Sequence, residues 1–190
     1  MSAAFDDPMP GVVTPAGVLA FWRAVGPARW FTRDAEIDGA ILKRYGATYE
    51  SGAAGELSDW EQTAEGALAL VLVLDQFPRN MFRSTARAFA ADPIARAAAA
   101  RAIARQFDRA FANPERRFFY LPYMHSEDVA DQERCIALCR AADDPEGVLH
   151  AEIHADIIRR FARFPHRNAV LARVTSPDEQ AFLDTGGFAG

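Results

Sequence analysis

The chain has 190 residues, half of them hydrophobic and 14 of them Phe, which is enough for one domain with a sizeable core. Lys and Arg together number 21 against 26 Asp and Glu, so the net charge of −5 argues against general nucleic-acid binding. The N-terminus "MSAAFDDPMPGVV" lacks the basic and apolar regions of a signal peptide, and no apolar run approaches the roughly 20 residues that span a bilayer. Two cysteines, Cys135 and Cys139, read as small core residues in a reducing cytoplasm.

In chain order, helix starts are set by Thr14-Pro15, Asp34, Ser58, Asp92-Pro93, Asn113-Pro114, Ser126, Asp144-Pro145 and Ser176-Pro177. A side-chain oxygen at the cap accepts a free N–H one turn on, and proline at the first helical position gives up no hydrogen bond. Ser58 with Glu61, and Ser176 with Glu179, read as capping boxes. About eight helices and no sheet follow: an all-α fold of antiparallel hairpins, in a single domain over 14–185, with 1–13 and 186–190 loosely held.

The helix bodies agree with these starts. The run Ala67–Leu74 is apolar on every side, which marks a central helix. Ile103, Phe107 and Phe111 repeat every four residues, as do Ile153, Ile157 and Phe161. Val129, Ile136 and Cys139 form a stripe that also carries His125 and Gln132, so an imidazole and an amide are expected to face inward. A short helix is expected around Ala86.

Charge gathers in three segments: "LDQFPRNMFR", "FFYLPYMHSEDVADQE" and "HADIIRRFARFPHRN". The first and third share a Phe-Pro step followed by Arg-Asn, and Phe77 and Phe164 are each expected to end a helix because proline disfavours the α region before it. Asn80 and Asn168 suit the satisfaction of the last carbonyls. Arg79, Arg83, Arg163 and Arg167 read either as partners of Asp75, Glu127, Asp128 or Asp131, or as a fork for a carboxylate or phosphate. His125 beside Glu127 and Asp128, and His166, supply the minimum for acid–base work near neutral pH. Glu127 and Asp128 would equally serve the dipole of the helix they open.

His150 and His154 stand four apart, as a zinc pair would. "HAEIH" lacks the glutamate that follows the first histidine in zinc proteases, and a third ligand would have to come from His125, His166 or a carboxylate, so no metal site is expected. There is no glycine-rich phosphate loop and no G-x-S-x-G, and Ser126 beside His125 is not a triad. No cofactor is expected.

The three segments in this order, with "VLAFWRAVGPARWF" before them and "TSPDEQAFL" after, resemble the bacterial and plant family known as domain of unknown function 924, from about Val18 to Leu183. The resemblance implies an all-helical fold similar to the tetratricopeptide-repeat superhelix, and it assigns no activity. His154 fits the family pattern and His150 does not. The expected function is a polar pocket of helix ends, with Asp75, Arg79, Asn80, Arg83, Glu127, Gln132, His154, Arg163, Arg167 and Asn168 holding a small anionic metabolite. Within it His125, Asp128 and His166 would do hydrolase-type acid–base chemistry. A peptide-binding helical module and a purely structural polar network are the alternatives. No nucleic-acid or membrane partner is expected, and homodimerisation is left open.

Overall fold

The computed structural model describes residues 11–188. The expected looseness of 1–10 and 189–190 lies outside the described residues. All regular structure among them is helical. The helices are α1 (Pro15–Val25), α2 (Ala35–Ala53), α3 (Ala64–Val71), α4 (Phe77–Met81), α5 (Asp92–Ala104), α6 (Leu121–Met124), α7 (Val129–Ala141), α8 (Pro145–Phe161) and α9 (Pro177–Asp184), with short 3-10 turns between several of them. None is long and apolar enough to cross a membrane. The chain divides into two compact units, one formed by the described residues up to 83 together with 87–122, the other by 84–86 together with 123–188.

In the first unit α3 is packed by α1 and α5, and α2 packs on α4. Every residue from Gly66 to Pro78 is buried. The aromatic core around this segment joins Trp22, stacked on Trp30 at 5.9 Å, to Phe77 and Phe118. Each such side chain contributes about 1.5–3 kcal/mol by leaving water.

Phe77-Pro78 does not end the helix. Leu72–Gln76 form a π-helical turn and α4 continues from Phe77, whose φ of −63° and ψ of −38° are helical. In a straight helix the proline ring would strike the carbonyl of Leu74. Here the Phe77 N–H reaches back to Leu72, one residue further than an α-helix allows, and the widened turn absorbs the proline. The Phe77 ring, buried against Phe21, Trp22 and Tyr45, offsets the local cost. At Phe164 the expectation holds in part: Phe164 is extended, as the following proline requires, but α8 has already stopped at Phe161, where Ala162 takes a left-handed conformation.

Four caps are where the sequence places them. Thr14, Asp34 and Asp144 accept helical N–H groups, and Ser176 forms a reciprocal box with Glu179. One, Asn113-Pro114, precedes only a 3-10 turn, Glu115–Phe119, and no α-helix starts there. Three are displaced. Ser58 opens only a 3-10 turn and Thr63 caps α3. Asp128, two residues after Ser126, caps α7. Asp92 is the first residue of α5 and makes no cap, its carboxylate being taken by Arg79.

Two stripes are also corrected. Phe107 and Phe111 lie beyond the end of α5, across a left-handed Gln106, so their spacing is not that of one helix. Val129 and Ile153 are 44% and 42% exposed, while Gln132, Ile136, Cys139 and Ile157 are buried. The cysteines are free buried thiols. The expected short helix near Ala86 is a 3-10 turn, Ala86–Phe89.

Candidate functional site

The first polar segment belongs to the first unit, and its charges are matched within it. Arg79 donates to both carboxylate oxygens of Asp92 at 2.9 and 3.0 Å and to the Asp75 carbonyl at 2.7 Å, with the Asp75 carboxylate 3.3 Å away. Burial works against the Arg79 charge, but the two carboxylates outweigh it and raise its pKa. Arg83 grips Asp38 of α2 through two nitrogens. Asn80 donates to the same Asp38 at 2.8 Å and accepts from Gln76 at 3.1 Å. These residues brace helix α4 against α2 and α5. Asp38 and Asp92 complete the brace, and no feature of their own neighbourhoods in sequence pairs them with arginines 45 and 13 residues away.

The second and third segments meet in the second unit. Glu127 accepts the backbone N–H of Phe164 at 2.8 Å and is held by two nitrogens of Arg173 at 2.7 and 2.9 Å. Burial pushes the Glu127 carboxyl up, but Arg173 and the Phe164 amide outweigh it and hold it below the usual range. This ties the entry of α7 to the break after α8. Arg173 is absent from the sequence-derived set because its partner lies 46 residues away.

Gln132, fully buried, donates to the carbonyls of Met124 and Ser126 at 2.7 and 2.6 Å and more weakly to Tyr123 at 3.4 Å. It therefore fixes the turn that carries His125. Gln132→Leu leaves these carbonyls dry in the interior. It is expected to lower stability by about 1–3 kcal/mol, measured by urea unfolding. Asp128 is exposed and bound to the Ala130 N–H as a cap.

Arg163 is engaged in a two-point bond to Glu179 at 2.6 and 2.8 Å and donates to the Val174 carbonyl. The Arg163 guanidinium, with further help from the Ser176 amide, holds the Glu179 carboxyl at about 2 against the effect of burial. Asn168 is fully buried beside Thr175 and also bonds Glu179. A cleft of about 470 Å³ borders this pair, with Arg160 and Asp178 on its rim, so its charges are balanced.

What remains is a cluster of imidazoles. The His154 ring lies 6.5 Å from His125, 5.6 Å from Phe164 and 4.5 Å from Phe188, centre to centre. His166 lies 5.6 Å from Phe164 and 5.4 Å from Phe188. The buried guanidinium of Arg167 sits 4.5 Å over the Phe164 ring. His125 and His166 are partly exposed and His154 is buried.

His154 Nδ1 is 2.8 Å from the His150 carbonyl. A carbonyl can only accept, so Nδ1 carries the proton and Nε2 its lone pair. Burial pushes the His154 imidazole down to about 3, against the bond to the His150 carbonyl and with help from neighbouring His125 and Arg167. It is neutral at physiological pH. His150, on the exposed side of α8, shares only its carbonyl with this cluster. Among the described residues no three His, Cys, Asp or Glu side chains are grouped to hold a metal ion.

An all-helical chain with this signature is a protein of the class described as "Bacterial protein of unknown function (DUF924)", whose family model matches residues 18–187. The chain belongs to that family. It is similar, at 45% identity and a TM-score of 0.88, to the solved structure of ATU0120, a protein of unknown function from Agrobacterium tumefaciens. The match covers 90% of this chain and 97% of that one. No curated protein matches the chain.

Proposed function

We propose that the second unit binds a small anionic metabolite at His125, His154, His166 and Arg167 and acts on it by acid–base, hydrolase-type chemistry. One observation carries the reading. Two histidines, His154 and His166, and the buried Arg167 surround a single phenylalanine, Phe164, and His125, from a segment far away in sequence, comes within 6.5 Å of the His154 ring. Arg167 supplies the charge that a carboxylate or phosphate needs. His154, neutral and with its tautomer set by His150, offers Nε2 as a hydrogen-bond acceptor to a ligand O–H or to water. The partly exposed His125 and His166 are the groups that would exchange protons with the ligand.

The first polar segment takes no part in this site; its arginines are braces. Trp22, Trp30 and Tyr49, the aromatics that an open peptide groove of a tetratricopeptide-like array would display, are core residues. That weighs for a metabolite over a peptide.

A thermal-shift screen against inorganic phosphate, small phosphate monoesters and di- and tricarboxylates tests the reading. At least one of these anions is expected to raise Tm by several degrees, and Arg167→Gln to abolish the shift. No shift with any of them would refute it.

A further inference from the structure

We propose that Phe188 is a built-in plug of the histidine cluster, a strap of the chain that swings away to admit a ligand. The inference rests on the reading of that cluster as a site, but its test does not. Phe188 neighbours both His154 and His166, as Phe164 does, and stands closer to each, edge-on at 4.5 and 5.4 Å with interplanar angles of 63° and 72°. It also packs, only partly buried, on the patch of Ile157, Ile158 and Phe164. Its ring therefore covers the imidazole that the interior holds neutral.

The path to this position is specific. Helix α9 ends at Asp184, and the Gly186 and Gly187 amides bond back to the Leu183 and Phe182 carbonyls. Gly186 has a φ of +78°, a conformation that suits glycine. A Cβ on Gly187 would stand 2.5 Å from the Phe182 carbonyl oxygen and 2.6 Å from its ring. So the expectation that 186–188 is a slack end gives way to a turn that needs both glycines and delivers the next side chain to His154.

The strap has the features of a part that moves. It is fastened by two terminal amide bonds and one partly exposed ring, with no ion pair between Gly186 and Phe188. Opening breaks few contacts and is drawn from the low-stability end of the structure. A plug of this kind lowers apparent affinity by the fraction of time it is closed, and its loss restores it.

The experiment is acylation of histidines by diethyl pyrocarbonate, followed residue by residue by mass spectrometry. It compares the intact chain with Phe188→Ala and with Gly187→Ala, which dislodges the strap without altering the ring. Both variants are expected to raise the modification rates of His154 and His166 at least fivefold while exposed His150 stays unchanged. Equal rates at His154 in all three proteins would overturn the proposal. So would a general rise at every histidine accompanied by reaction of the buried Cys135 and Cys139 thiols, because Phe188 would then be a core residue whose loss loosens the fold. Anion binding is measured separately, so either result leaves the proposed function to stand or fall on its own titration.

Discussion

Arg79→Ala is expected to destabilise the first unit by about 3–5 kcal/mol, the cost of removing one partner from a buried ion pair. The guanidinium stands between the carboxylates of Asp75 and Asp92 and also carries the Asp75 carbonyl. Alanine removes that cation and leaves two acids in the interior, one of them fully buried. Asp75→Ala should be milder, because Asp92 still holds the arginine at two points. Chemical denaturation of the two variants checks this order. If Arg79→Ala were as stable as the parent, the first polar segment would not be a brace and its arginine would be available to a ligand.

The second large effect is an acid limb that begins above the carboxylate range. In the unfolded chain the His154 imidazole titrates near 6.5, and in the folded protein burial pushes it down to about 3. Between these values the unfolded state binds a proton that the folded state does not. Stability is therefore full above about pH 6.5 and falls as the pH drops through that window, by about 1.4 kcal/mol per unit for one proton. Glu179, lowered from 4.5 to about 2, gives up its contribution as the pH falls from about 4.5 through 2, so the upper part of the window is clear of it. Urea unfolding between pH 7.5 and 5 should show the slope, and His154→Phe should flatten it. An unchanged slope in that variant would mean that His154 is not the buried neutral group described here.

The features legible in the sequence were those decided locally. A cap is a contact between residues two or three apart, so Thr14, Asp34, Asp144 and Ser176 could be read directly. The central position of α3 followed from its uniform apolarity. Two of the displaced caps have a common cause: Asp92 is claimed by Arg79, and Ser126 by Asp131 at 2.6 Å, and neither competitor could be weighed from sequence.

The two Phe-Pro steps look alike as strings and differ in structure. The ring of Phe77 sits in an aromatic core that holds it helical despite Pro78, whereas Phe164 follows a left-handed Ala162 that had already ended α8. Charge in the three segments was legible, but its partition was not. Arg79, Arg83 and Arg163 find carboxylates 13 to 45 residues away, a pairing that local sequence does not show. Phe188 was hidden because a Gly-Gly step near the end of a chain reads as slack until the close approach to Phe182 is seen.

The proposed function requires the imidazoles of the second unit to meet an anion. The direct measurement is long-range 1H–15N NMR of the four histidine rings during a titration with inorganic phosphate at pH 7. The expected result is a saturable change at His154 together with His125 or His166, with His154 retaining the Nδ1–H tautomer, and its loss in Arg167→Gln. A change confined to exposed His150, or one that persists without the Arg167 guanidinium, would contradict it.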